Sequence, residues 1–185
     1  MAKYKPLKEG EKGMIAQQLG RQPRKLKGVA VRCESGNPQV IVTHPVMFHG
    51  GEYPEVFPSL YWLSCPRLVK EISRLEGAGL INEIQEMIDN DQDLKDELEE
   101  AYQLYAKQRL ELVKEPTLKL LREWHPDQYQ VLCESGVGGI RSEGIKCLHA
   151  QLADYLVNGI NPVGRIVAER LGDKLNESCN KCSTE

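Results

Sequence analysis

No stretch of the chain approaches the 18 apolar residues that a membrane-spanning helix needs, and no apolar run follows the lysines near its start. The sequence therefore predicts a soluble cytoplasmic protein with no membrane span. Aromatics make up only 6% of the residues, and no nucleic-acid-reading motif is present. The pair Tyr61-Trp62 accordingly reads as core rather than as a platform for stacked bases. Neither G-x-S-x-G nor H-E-x-x-H occurs, which removes the two commonest signatures of serine and zinc hydrolases. No motif fixes a reaction.

What is present is a globular composition, 41% hydrophobic and 28% charged over 185 residues. That length suits one domain with a core of its own. The net charge is only −3, but it is unevenly spread. Residues 1–28 carry eight Lys/Arg against Glu9 and Glu11, and residues 83–100 carry nine Asp/Glu against Lys95. Residues 1–27 read as a basic arm, 28–171 as a single globular domain, and 172–185 as a polar tail. Such an arm is usually solvated but is also able to meet phosphate or an acidic partner.

The element pattern is α+β and predominantly helical: a small N-terminal antiparallel sheet covered by five or six helices. V-A-V-R (29–32) and Q-V-I-V-T (39–43) flank the turn E-S-G-N-P and form a hairpin. Residues 44–58, with three prolines and a glycine pair, read as loop. S-L-Y-W-L-S (59–64) fits a buried strand. Pro66 opens a helix whose apolar face is Leu68, Val69, Ile72 and Leu75. A second runs over about 80–88, and Asp91 caps a third over 92–113. Thr117 to Trp124 reads as a short helix, and His125-Pro126-Asp127 as a turn. Ser142 is the expected cap of a helix to about Val157. Asn161 and Pro162 start the last one.

The chemistry candidates are thiols. Six cysteines in a reducing compartment are thiols, metal ligands or redox groups rather than a disulfide framework. Cys33 (V-R-C-E-S-G-N-P) and Cys65 (Y-W-L-S-C-P) lie in tight turns of the kind that wrap an ion. Cys147 and His149 sit near a helix start, where the positive helix end favours a thiolate. These four are the candidate ligands of a zinc ion or an iron–sulfur cluster. Their spacing is unhelpful, since the three cysteines form no C-x₂-C pair. On a straight helix Cys147 and His149 point about 200° apart, so both reach one ion only if the helix starts late. The alternative is that the three cysteines are small buried apolar residues. The one C-x₂-C, Cys179–Cys182, lies in the polar tail, and Cys133 belongs to a second V-x-C-E-S-G segment.

The glycine-rich run 136–146 invites an anion reading through Gly136, Gly138, Gly139, Arg141 and Lys146. It matches neither the P-loop spacing nor G-x-G-x-x-G. A flexible turn feeding a helix explains the same residues.

Several segments together resemble a bacterial family known as domain-of-unknown-function family 501. They are Q-L-G-R-Q-P-R (18–24), V-R-C-E-S-G-N-P-Q-V-I (31–41), F-P-S-L-Y-W-L-S-C-P-R-L (57–68), S-R-L-E (73–76), G-I-K-C-L-H-A-Q-L-A (144–153) and N-P-V-G (161–164). The resemblance implies shared cysteines at Cys33, Cys65 and Cys147 and a shared histidine at His149. It does not extend to Cys133, Cys179 or Cys182. It also implies genes beside those of a septum-forming coiled-coil protein and an exopolyphosphatase, which is an association and not a mechanism. Three readings follow. The first is a metal-holding protein with an anionic small molecule bound nearby. The second is a non-enzymatic module for a cell-division or envelope-growth partner, and the third a phosphate-ester or polyphosphate enzyme.

Overall fold

The structure is a computed structural model that describes residues 2–50, 53–140 and 144–176. It is α+β. Its helices are α1 (Glu11–Leu19), α2 (Pro66–Gly77), α3 (Leu80–Asn90), α4 (Gln92–Leu110), α5 (Glu115–Trp124), α6 (Pro126–Glu134), α7 (Leu148–Asn158) and α8 (Pro162–Leu171). Five strands, β1 (Leu26–Arg32), β2 (Pro38–Thr43), β3 (Val46–His49), β4 (Tyr53–Val56) and β5 (Tyr61–Leu63), form two antiparallel sheets of order β1-β2-β5 and β3-β4. No helix among the described residues is long and apolar enough to cross a membrane.

The expected 29–43 hairpin is β1–β2, with β2 at the centre of the larger sheet and buried along its whole length. Side chains alternate across a strand, so β2 feeds two clusters. Val40 and Val42 face the main core, with Tyr61 and Leu63 of β5 and Leu68, Ile72, Leu148 and Leu152 of the helices. Ile41 faces the other way, in register with Val29 on one side and Trp62 on the other, and packs with Ile15 of α1. Residues 2–27, read as an arm, thus touch the sheet: Ile15 is fully buried, and Lys5 exchanges backbone hydrogen bonds with Val29.

Two segments depart from the sequence expectation. Residues 46–56, read as loop, contain the β3–β4 hairpin, which packs Val46 and Val56 against Leu121 of α5 and Leu132 of α6. Pro54 sits within β4 of this two-stranded ribbon, whose outer side needs no ladder hydrogen bond. Residues 126–134 form α6, so the turn expected at His125-Pro126-Asp127 is a helix start: Pro126 occupies the first helical turn, where a missing amide costs nothing. Cys133 is therefore helical, and V-R-C-E-S-G and V-L-C-E-S-G share no conformation.

The last two long helices are held by close approach and by polar contacts. A Cβ on Gly164 of α8 would strike the Gln151 carbonyl and the Tyr155 side chain of α7. The cap expected at Asn161 is present, its Oδ1 accepting from the Gly164 amide at 2.9 Å. The Asn161 amide group also donates to Gln151 and to Asp154, whose other oxygen accepts from Asn158. Gln151 continues the chain to the Tyr102 hydroxyl on α4, which donates to the Gly144 carbonyl. This buried network ties α4, α7 and α8 to the segment that leads into Cys147.

Candidate metal centre

The segment 144–147 is extended, and α7 begins only at Leu148, with Cys147 as its N-cap in the β region (φ −151°, ψ 111°). The start expected at Ser142 lies outside the described residues. A helix running through 144–147 would need amides and carbonyls that are already used: the Ile145 amide donates to Gln85 Oε1 and the Gly144 carbonyl accepts from Tyr102. The late start brings Cys147 and His149 to one side, with Cys147 Sγ 3.9 Å from His149 Nδ1.

A third group completes the cluster. Glu76, in the last turn of α2, lies with Oε1 3.3 Å from His149 Nδ1 and accepts from the Leu148 amide at 2.7 Å. The donor atoms of Glu76, Cys147 and His149 all fall within 4.8 Å of one another. A tetrahedral zinc ion bound through nitrogen, oxygen and sulfur sets its ligand atoms about 3.3 to 3.6 Å apart, so these three need little movement to close on one ion.

The histidine is oriented for that role. Its Nε2 lies 3.1 Å from the Val69 carbonyl, a group that only accepts, so Nε2 carries the proton. Ser73 Oγ lies 3.3 Å from the same nitrogen and donates to the same carbonyl. In the neutral ring the Nδ1 lone pair then points at Glu76 and Cys147. A backbone carbonyl fixing the far nitrogen is the usual outer support of a metal-bound imidazole.

Electrostatics agree with the geometry. Burial alone would lower the His149 pKa, but the Cys147 side chain, the Val69 carbonyl and the Glu76 carboxylate outweigh it and raise it to about 9. Burial alone would raise the Cys147 pKa, yet His149 and the Ala150 amide bring it below the ordinary thiol value. Cys147 stands at the N-terminal end of α7, where the field of the helix amides also favours the ionised thiol. Without metal, the site thus favours an imidazolium at His149 beside Glu76 and eases deprotonation of the Cys147 thiol. It is a place where positive charge is favoured, and a divalent ion competes with that proton.

Of the four expected ligands, Cys147 and His149 are in this group and Cys33 and Cys65 are not, among the described residues. Cys33 lies at the β1–β2 turn, where its amide bonds the Asn37 carbonyl. Cys65 is the N-cap residue of α2 and packs within the main apolar core. Cys179 and Cys182 lie outside the described residues. Glu76 was not recognised in the sequence. Its signal is the stripe Val69, Ser73, Glu76, spaced i, i+4, i+7, where polar residues continue a line begun on the apolar face.

The glycine-rich run read as an anion loop is described only in part. Arg141 lies outside the described residues. The Gly136 amide donates to Ile140 and the Gly139 amide to Gly136, while Leu148, the first helical amide, serves Glu76. Gly138, with φ 75°, adjoins the Glu76–Cys147–His149 group: a Cβ there would lie 3.8 Å from that of Cys147. Lys146 is exposed beside it.

A protein-family model matches residues 29–169, most of the chain and every residue of the Glu76–Cys147–His149 group. The chain belongs to the family described as protein of unknown function (DUF501). No curated protein and no solved structure matches this DUF501 chain. Its chemistry therefore rests on the residues themselves.

Proposed function

We propose that this DUF501 protein binds a mononuclear transition-metal ion of the zinc class through Glu76, Cys147 and His149. The observation that carries the proposal is the convergence of three donor atoms within 4.8 Å, from two helices far apart in sequence. The mixed set of one carboxylate, one thiolate and one imidazole suits zinc. An iron–sulfur cluster draws mainly on thiolates, and this group offers one. Three protein donors are the count of zinc sites that keep a position open for water or substrate, whereas structural sites close with four. The side chains of His149 and Glu76 remain 22% and 25% exposed, which leaves a path for a fourth ligand. An ion there would supply Lewis acidity and an acidified bound water. Glu76 would lend negative charge, and Val69 and Ser73 would hold the imidazole. The reading places the protein in a reducing compartment such as the cytoplasm, where Cys147 stays reduced and free to bind the ion.

The test is cobalt(II) and zinc(II) binding by the full chain. The expected result is a visible spectrum of tetrahedral cobalt with a thiolate charge-transfer band. That band is abolished in Cys147→Ser and His149→Ala and retained in Cys33→Ser. A cobalt spectrum unchanged in Cys147→Ser, or no binding at micromolar metal, overturns the proposal. In the second case, fast alkylation of Cys147 would favour a thiol nucleophile paired with His149, which the lowered thiol pKa also supports.

A further inference from the structure

The outer face of the β1-β2-β5 sheet, opposite the face that packs on α7, is only partly covered. Val29, Ile41 and Trp62 lie side by side across it. Helix α1 covers one end through Ile15. Between the end of α1, the start of β3 and the chain entering β5 lies a pocket of about 70 Å³, several times the roughly 10–15 Å³ that one water needs. Ile41, Met47, Phe57 and Trp62 form its apolar walls, and Arg21 and Arg24 line its mouth.

The charge at that mouth has no carboxylate partner among the described residues. Between Glu11 and Glu34 the chain has no carboxylate, but it has Lys12, Arg21, Arg24, Lys25, Lys27 and Arg32. Of these, Arg32 is paired with Glu11. Among the described residues no carboxylate pairs with Arg21 or Arg24. Arg21 instead lies over the Trp62 ring, 5.1 Å from its centre. The segment carrying both arginines is fixed. Gly20 ends α1 in the left-handed region, and the Lys25 carbonyl accepts from the His44 amide at 2.9 Å. Lys25 itself has φ 49°, the one non-glycine residue with positive φ among those described. Left-handed backbone at a lysine is costly and persists where the surroundings impose it. His44, on the pocket wall, adds no charge: its Nε2 bonds the Leu112 carbonyl, and burial together with Lys27 and Lys25 keeps its pKa low.

An apolar slot with an aromatic wall, and at its mouth two guanidiniums that no carboxylate pairs with among the described residues, has the makings of a specific site. Guanidinium presents a planar fork that matches phosphate or carboxylate. We infer that this pocket binds a small aromatic anion, an aryl phosphate or aryl carboxylate, with its ring against Trp62 and Phe57 and its anionic group held by Arg21 and Arg24. The site is independent of the Glu76–Cys147–His149 group and survives or fails on its own observations.

Trp62 is a built-in reporter. The chain has two tryptophans, and the other, Trp124, is 72% exposed, so Trp124→Phe leaves a single signal from the pocket. The experiment titrates that full-length variant with phenyl phosphate, benzyl alcohol and inorganic phosphate, following Trp62 fluorescence. The expected result is a saturable change with phenyl phosphate that weakens as sodium chloride rises. Benzyl alcohol and inorganic phosphate should each bind at least tenfold more weakly. Adding Arg21→Gln and Arg24→Gln together should weaken phenyl phosphate at least tenfold with the melting temperature unchanged, because both side chains are exposed at the rim. No saturable binding of phenyl phosphate overturns the inference. So does equal binding of either control compound, or full affinity in the double-glutamine variant.

Discussion

The Glu76 carboxylate accepts the Leu148 amide at 2.7 Å, so the residue that completes the Glu76–Cys147–His149 group also caps the first turn of α7. One side chain therefore has two separable tasks. Glutamine keeps the accepting oxygen and loses the charge, whereas alanine loses both. Glu76→Gln is expected to bind zinc at least tenfold more weakly with little change in melting temperature. Glu76→Ala should show the same loss and in addition a destabilisation of about 0.5–2 kcal/mol, the range for a lost N-terminal cap. Competition titration with a zinc-sensitive chelator and thermal unfolding of the apo proteins separate the two effects. Wild-type zinc affinity in Glu76→Gln would remove the carboxylate from the ligand set.

Arg109 of α4 is fully buried and ties the end of α6 to the segment before β5, without a carboxylate partner in hydrogen-bonding contact among the described residues. Its Nε donates to the Leu132 carbonyl at 2.8 Å, its Nη1 to Pro58 at 2.9 Å and its Nη2 to Ser135 at 2.5 Å. Burial lowers its pKa, and those carbonyls are what a buried guanidinium needs. Arg109→Met should leave all three carbonyls without that donor and destabilise by about 2–4 kcal/mol, even though the cost of burying a charge is removed. Arg109→Lys should also destabilise, because one ammonium cannot span three directions. Urea midpoints at constant slope measure both. A methionine variant as stable as the parent would show that the desolvation cost equals everything the carbonyls return.

The parts of the fold set by local chemistry were readable from sequence. Asp91 and Asn161 as caps, Pro66 and Pro162 in first turns, and the E-S-G-N-P hairpin all stand where short-range rules put them. The β3–β4 hairpin was not readable. Its prolines and glycines are loop signals, and its strands are fixed by burial of Val46 and Val56 against α5 and α6, a contact between distant segments. The site was half readable for the same reason. Cys147 and His149 are neighbours in sequence, and the condition for their meeting, a late helix start, was plain from the 3.6-residue period. The tertiary partners Tyr102 and Gln85 meet that condition by bonding the segment before the helix. Glu76 lay among many surface acids, and its place in line with Val69 and Ser73 is only a faint mark, because the histidine it meets comes from another helix.

Gly164 tests the α7–α8 contact directly. A Cβ there meets the Gln151 backbone carbonyl, which is held inside a helix, as well as the Tyr155 side chain. Its backbone is helical, so alanine is otherwise favoured by roughly 1 kcal/mol. Gly164→Ala is nonetheless expected to destabilise by about 1–3 kcal/mol through overpacking. In a protein of this size that lowers the melting temperature by several degrees. A stabilised alanine variant would mean that α8 stands farther from α7 than described.

Asp154 gives the pH dependence a sign. It is fully buried, and burial raises its pKa from 3.8 to about 6 against the opposing effect of the Asn161 and Asn158 amides. Because the folded value lies above the unfolded one, the native state binds the proton more tightly. The contribution is complete below about pH 4 and is lost as pH rises through 6. By linkage it amounts to something on the order of 3 kcal/mol. Glu11 acts in the opposite direction, because its folded pKa is lowered. Burial alone would raise it, but the Arg32 guanidinium and the Lys8 amide outweigh that, so its contribution is lost as pH falls. The Asp154 part is therefore read as a difference. Unfolding free energies of the wild type and Asp154→Asn are compared between pH 4.5 and 7.5. The wild type should lose ground to the variant as pH rises, with most of the change between pH 4.5 and 6.5. Parallel curves would mean that Asp154 titrates alike in the folded and unfolded chains, and that the Asn158 and Asn161 amides fully offset its burial.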